Sequence, residues 1–583
     1  MEKHKGFTDN FQSEELAVFT PIKPQAREPY DPSVSFEEYH YYAEQTRKEE
    51  LTFDAPSFQL RRILASLREP SHGDDLPCGR LDEIDFTQAE RRIMITDEEW
   101  ANASRALRLT SWGACFFLIT TDILGPYGTG FTMGTLGWGP GIAFYTVFGI
   151  MAGYSGYLIW RVFLGVDSLQ FPVRNYGDLG FRTIGRYGRF ITNICQGISL
   201  LLILGQVVML FGQNISQMSQ FRLCSAVCPA IFACAGFLIT QVRTLRNYGW
   251  FANLAVWLNL FVVFMTIAVM AKSPPNYSIS TLGSAGSAVN PSSIKPDGDG
   301  RYPPIVHYSL IPSKNLVGAV NGMLSGVTAY AGAQLFVEFL AEMKRPRDFI
   351  KAMWTAQFFI YAVYLTYGCV IYYLQGQYSY NPSYQGVSIF AWQTVGNVVS
   401  LLAALISGGL YGNIGIKVFY NNVLLDLFKA PPITTRRGKM IYAVIVPLWW
   451  IVAFVIAAAI PDYFGFVSVV AASMLVSLTY AFPPLFALCY DVQRNAICKA
   501  EGEGFDSATG RVTRRDTSFK RWIRGFLAGG PMQVAVNTWH VIYFLAAIAM
   551  SGLGMYAAIV GLHEAFQTPQ LTSFSCVSPL NLS

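Results

Sequence analysis

The sequence predicts an all-α integral membrane protein of about eleven transmembrane helices, with a five-plus-five inverted-repeat core, broken helices 1 and 6, and one extra helix. Three observations predict it. The 583 residues are 52% hydrophobic and only 14% charged, with a mean hydropathy of +0.32, and the apolar residues gather in long runs. The basic residues divide very unevenly between the two sides that those runs define. Two of the runs, five apart, are interrupted by glycines at membrane depth.

Residues 1–108 are polar and charged, lack the apolar stretch of a signal peptide, and read as a cytoplasmic N-terminal region that is largely irregular. Two capping boxes, Ser35-Phe36-Glu37-Glu38 and Thr96-Asp97-Glu98-Glu99, predict short helices within it, the second leading into the membrane at Leu109. The transmembrane domain covers 109–561. Its spans lie at about 109–136, 140–164, 190–212, 223–240, 249–271, 316–342, 351–374, 387–415, 440–460, 464–490 and 537–561. Residues 562–583 form an extracellular C-terminal tail. With the N-terminus inside, fourteen of the 43 Lys and Arg lie in residues 1–108, twenty-four in inner loops and span edges, and only five in outer loops. This is the asymmetry the positive-inside rule requires, and one missed span would invert every later loop and erase it.

The loops carry weaker signals. The glycosylation sequons at Asn276 and Asn581 both fall outside on this count. The outer loop 272–315, rich in Ser, Gly, Pro and Asn, reads as irregular. The inner segment 491–536 ends in FKRWIRGFL, Phe519 to Leu527, which reads either as an amphipathic helix on the inner membrane surface or as a plain linker. The ten cysteines show no zinc spacing, and Cys224 and Cys228 read as core or oxidised thiols rather than metal ligands. No metal ligand set and no nucleophile–base motif stands in or beside the spans, which argues against an enzyme. Net charge is only +5 and follows topology, so nothing calls for nucleic acid.

The first span begins as an ordinary apolar helix. It then meets Asp122 and the run Gly125-Pro126-Tyr127-Gly128-Thr129-Gly130, three glycines and a proline in six residues. Proline removes a donor and clashes with the preceding turn, and each glycine weakens the helix further. At about 1.5 Å per residue, the helix has risen roughly 20 Å when it breaks, deep in a hydrocarbon layer of about 30 Å. Bare backbone at that depth is tolerated only inside protein or beside a water-filled cavity. The run resembles a dinucleotide loop only superficially, since no strand precedes it.

The sixth span, Leu316 to Met343, is interrupted by Gly318, Gly322, Gly326 and Gly332, with Glu338 further along. Five is an odd separation, so the two broken spans enter from opposite sides, as in an inverted repeat. Broken helices at corresponding positions point to a transporter's binding site. The competing reading is small-residue packing, since Gly318, Gly322 and Gly326 have GxxxG spacing.

Several stretches resemble the amino acid/auxin permease family: TTDILGPYGTGF in span one, Ala329-Tyr330-Ala331-Gly332 followed by EMKRPRDF in span six, NYGDLGFRTIG from Asn175, and SGGLYGNIGIKVFYNN from Ser407. The resemblance covers roughly residues 105 to 562. It implies the fold of the amino acid–polyamine–organocation superfamily and secondary transport of amino acids driven by protons or sodium. It further implies a substrate site at the first break, with Ile123, Gly125, Tyr127, Gly128, Thr129 and Gly130, and at the second, with Ser325, Gly326 and Tyr330. Half-helix N-termini would meet the substrate carboxylate, and carbonyls of the second break its ammonium. Ser407 and Asn413 on span eight are the candidates to face span one, where this superfamily often holds sodium.

Asp122 and Glu338 are the only acids within the spans away from their edges, and no Lys, Arg or His sits mid-span. Charge at that depth is expensive, so one of these carboxylates, Asp122 foremost, is the simplest proton carrier. Glu338 could instead pair with Lys344 or Arg345, and Asp122 could cap the resumed chain. The expected activity is proton symport of neutral amino acids, since no mid-span base would pair an acidic side chain. Sodium coupling, an organellar carrier and a sensor with little transport are the alternatives. The expected partners are the amino acid, the bilayer and regulatory proteins on the N-terminal tail, with no cofactor beyond the co-transported ion. The expected location is the plasma membrane, with the vacuole or another organelle as the alternative.

Overall fold

The structure, a computed structural model, describes residues 33–51, 108, and 110–580 apart from 242–244, 313–315, 426–427, 432–434, 461, 499–501, 568–572 and 579. The Thr96 capping box, Leu109 and the Asn581 sequon lie outside the described residues. Helix α1 (Phe36–Glu50) starts as its capping box predicts: the Ser35 hydroxyl accepts from the Glu38 N–H. The first span is α2 (Trp112–Ile123) and α3 (Thr129–Leu136), separated by a 3₁₀ turn at Pro126–Gly128. After these come α4 (Trp138–Val166), α5 (Tyr176–Thr183), α6 (Arg186–Met218), α7 (Val227–Thr240) and α8 (Leu245–Met270). The sixth span is α9 (Leu316–Thr328) and α10 (Phe336–Glu342). Then follow α11 (Phe349–Gln375), α12 (Phe390–Phe419), α13 (Arg436–Ala459), α14 (Tyr463–Val470) and α15 (Phe482–Asn495), and finally α16 (Phe519–Leu527) and α17 (Gly530–Phe566).

Nine helical stretches among the described residues are long and apolar enough to cross a membrane. The two other expected spans coincide with the α2–α3 pair and with α7, which has only 14 residues. Between α14 and α15 the helix widens into two π-helical stretches, Ala471–Leu475 and Ser477–Ala481. Pro483 and Pro484 account for the second of these, since neither offers an N–H to the turn before it.

Two packed groups position the breaks. One joins α6, α7, α12 and α13 around Leu204, Phe232, Trp450 and Phe466. The other sets α2 and α3 against α11, with α8 and α4 alongside, around Ile119, Ile123, Tyr330 and Tyr364. The outer loop is more ordered than its composition suggests. It forms short helices at Ser280–Gly283 and Ala285–Val289 because Ser284 caps the second through the Ser287 N–H. The inner segment holds an unpredicted hairpin, Gly504–Asp506 paired antiparallel with Arg511–Thr513.

Several contacts join loop ends that the charge pattern assigns to one expected side. On the inner side, Arg47 of α1 and Arg108 both reach Asp167 at the end of α4, at 2.9 and 2.7 Å. Burial works against the charge of Asp167, but the two guanidiniums outweigh it and hold this carboxyl below its ordinary range. Glu37 of α1 takes Arg514 and Arg521, each at 2.6 Å, and is likewise lowered despite its burial. On the outer side, Cys224 forms a disulfide with Cys576, and the tail also bonds the end of α13, Phe574 N–H to Ala458 C=O at 3.1 Å. Cys224 is therefore a cross-link rather than a thiol, whereas Cys228 is free and buried. The Asn276 amide is half-buried and donates to Val387 C=O at 3.1 Å, so a glycan there requires that bond to open.

The sidedness has a direct check. A cysteine at exposed Asp299 (Asp299→Cys) is expected to react with an impermeant maleimide added outside intact cells. Labelling only after permeabilisation overturns the eleven-span topology.

Candidate functional site

The helix α2 stops because Gly125 and Pro126 cannot continue it, and three side chains from distant spans, with Thr129 of the break itself, take up the freed backbone groups. Tyr411 of α12 donates its hydroxyl proton to the Asp122 C=O at 3.0 Å. Asn259 of α8 donates to the Leu124 C=O at 3.2 Å and accepts from the Tyr127 hydroxyl at 2.9 Å. Thr129 closes the turn by donating to Pro126 C=O at 2.6 Å. Gly125 remains exposed, and a Cβ there would meet nothing within 4 Å.

The fourth is Tyr364 of α11. Its hydroxyl accepts from the Gly125 N–H at 3.0 Å and lies within hydrogen-bonding distance of two carbonyls, Ile123 and Ala329, the latter at 3.0 Å. One buried phenol thus ties the first break to the second. The breaks also touch directly. A Cβ on Gly332 would sit 2.5 Å from Ile123 Cγ1 and 2.6 Å from Asp122 Oδ2, so only glycine permits the approach. Asp122 Oδ2 is buried and has no hydrogen-bond partner among the described residues.

The other predicted residues divide. Tyr127 wedges edge-on against Tyr384, with ring centroids 4.9 Å apart, and Gly128 lies under the Asn381 side chain. Gly130 abuts Ile371 and Gly326 abuts Phe144, so the close-packing reading holds for the glycine stripe of α9. Ser325 bonds back to Asn321 C=O of its own helix. Tyr330 is buried in a cluster with Tyr145 and Tyr364.

The proposed ion pair of Glu338 fails. Glu338 pairs with neither Lys344 nor Arg345. It takes the Gln196 amide of α6 at 2.7 Å, because α10 turns it inward while the chain leaves the helix at Met343. Asn413 faces α13, donating to the Tyr442 hydroxyl at 3.2 Å, and Ser407 bonds to Ala404 C=O of its own helix. On α12 it is Tyr411 that hydrogen-bonds the first span, at the Asp122 C=O. Sequence reasoning missed Tyr364, Tyr411 and Asn259. Tyr411 stood inside the quoted SGGLYGNIG stretch, the one available signal.

Comparison with known proteins identifies the family. The family described as transmembrane amino acid transporter protein matches residues 108–490, which contain both breaks and every residue of the staple. A transmembrane transporter of Fusarium pseudograminearum is 22% identical over 398 residues, 67% of this chain and 71% of that protein. A transmembrane transporter of Gibberella moniliformis is 23% identical over 247 residues, 42% of this chain and 47% of that one. Among solved structures, a Na+-coupled sialic acid symporter in a substrate-bound outward-open state aligns at a TM-score of 0.45 and 12% identity, over 82% of this chain and 98% of that one. MhsT in complex with L-phenylalanine aligns at 0.42 and 14%, over 74% and 98%. The chain, an all-α multi-pass membrane protein with its first and sixth spans broken, belongs to the transmembrane amino acid transporter family, the amino acid/auxin permeases, and is a secondary transporter.

Proposed function

We propose that the protein imports neutral amino acids across the plasma membrane by proton symport, with the substrate held at the two breaks. The observation that carries this reading is the contact of Asp122 with Gly332, which puts one carboxylate against both breaks. A proton gained or lost by that carboxylate changes the charge at the joint about which the half-helices move, which couples the ion to the movement. The exposed backbone at Gly125 suits the part common to all amino acids, the carboxylate and ammonium. The side chains around the breaks, Ile123, Tyr127, Thr129 and Tyr330, are apolar or hydroxylated. A charged substrate side chain brought among them unpaired costs several kcal/mol.

Reconstituted vesicles with labelled leucine, phenylalanine or alanine test this. An inward proton gradient is expected to drive uptake, and Asp122→Asn to remove the pH dependence while the protein still runs as a single species on size exclusion. Uptake that follows a sodium gradient alone transfers the coupling to sodium. Lysine or glutamate competing as well as leucine ends the neutral-substrate reading.

A further inference from the structure

The nine-residue helix α16 is built the wrong way round for a solvated linker. Phe519, Trp522, Ile523 and Leu527 recur at helical spacing and face outward, Phe519 76% and Leu527 60% exposed. Its arginines face the protein instead. Arg521 reaches Glu37 at 2.6 Å and Arg524 reaches Glu503 at 2.9 Å. Glu503 is held at about 2 despite its desolvation, by backbone N–H groups of Cys498 and Arg515 and by Arg524, so it stays ionised at any physiological pH.

The helix cannot roll to hide its apolar side. Gly525 packs directly on the Val492 carbonyl at the end of α15, leaving no room for a side chain. Asn537 of α17 donates to the Phe526 C=O at 2.9 Å, fixing the angle to the next helix. That next helix begins two residues later, at Gly530, and is itself mostly uncovered, with Met532, Trp539, Ile542 and Leu545 exposed along it. In a membrane protein those residues face lipid, and only Ala528 and Gly529 separate α16 from that helix.

We infer that α16 is a membrane-surface helix: Phe519, Trp522, Ile523 and Leu527 sit in the interfacial layer of the cytoplasmic leaflet, while Arg521 and Arg524 hold the N-terminal helix and the hairpin segment from the other side. Continuity with α17 selects the bilayer as the occupant. The exposed Lys520 can run its ammonium up to the headgroups from the edge of the same face. The N-terminal region is then clamped to the membrane surface through a helix that does not itself span it.

Full-length protein carrying Ile523→Cys, labelled with the fluorophore NBD and placed one copy per lipid nanodisc, tests the inference; labelled unsubstituted protein supplies the background. Ile523 faces outward, so the substitution does not disturb packing. A doxyl lipid with its spin label near the headgroup is expected to cut the emission by about half, while aqueous iodide leaves it almost unchanged, as for an interfacial site. Iodide quenching with no effect of the doxyl lipid overturns the inference. So does shielding that appears only when two copies share a nanodisc, since the face then belongs to a second copy of the chain.

Discussion

Gly332→Ala is expected to lower uptake by at least about tenfold, and Gly332→Val by about a hundredfold, with the protein still folded and delivered to the membrane. The added Cβ meets Ile123 at 2.5 Å and the Asp122 carboxylate at 2.6 Å, so the two breaks must separate or the side chains must turn. Overpacking of this kind costs about 1–3 kcal/mol, and each 1.4 kcal/mol is a factor of ten. The loss concentrates on the joint between the half-helices, so the pH dependence of residual uptake should shift with it. Gly113→Ala is the control, because a Cβ there meets nothing within 4 Å. Initial-rate uptake in vesicles, normalised to reconstituted protein, measures both. Equal rates for Gly332→Ala and the unsubstituted protein would falsify the direct contact of the breaks.

Removing one oxygen from Tyr364 has the second large effect. Tyr364→Phe leaves the Gly125 N–H without its acceptor and takes a donor from the Ile123 and Ala329 carbonyls. Leaving the buried Ile123 carbonyl unpaired costs about 1–3 kcal/mol. That corresponds to about a 5- to 150-fold fall in kcat/KM for uptake. Because the ring remains in its packed place, thermal stability should fall less than activity does. Tyr411→Phe acts on the first break alone, through Asp122, and should fall short of this, which separates a tie between two breaks from a bond to one. If both variants transport normally while binding and stability are unchanged, the staple has no part in the cycle.

The pairing of these two breaks was visible without coordinates because its causes are local. Proline lacks an N–H and glycine lacks a Cβ wherever the chain goes, so a helix stops at Gly125-Pro126 regardless of its neighbours. The start of α1 at Ser35 was equally local, since a capping hydroxyl and the N–H it accepts lie three residues apart. Sidedness came from summed charge, which needs no contacts at all.

What fills a break is a different matter. Tyr364 lies 239 residues from Gly125, and Tyr411 lies 289 from Asp122. A tyrosine in an apolar helix carries no mark of which carbonyl it will meet. Glu338 went to Gln196 rather than to the basic loop beside it, since the inward turn of α10 is set by packing against other spans. Cys224 and Cys576 are 352 residues apart and could be joined only once the tail had a place on the outer face. By itself the sequence determined that the chain is a membrane-spanning helical protein and where its helices must break. Only the tertiary structure decided which side chains take up the freed backbone, because those partners are chosen by the packing of helices far apart in the chain.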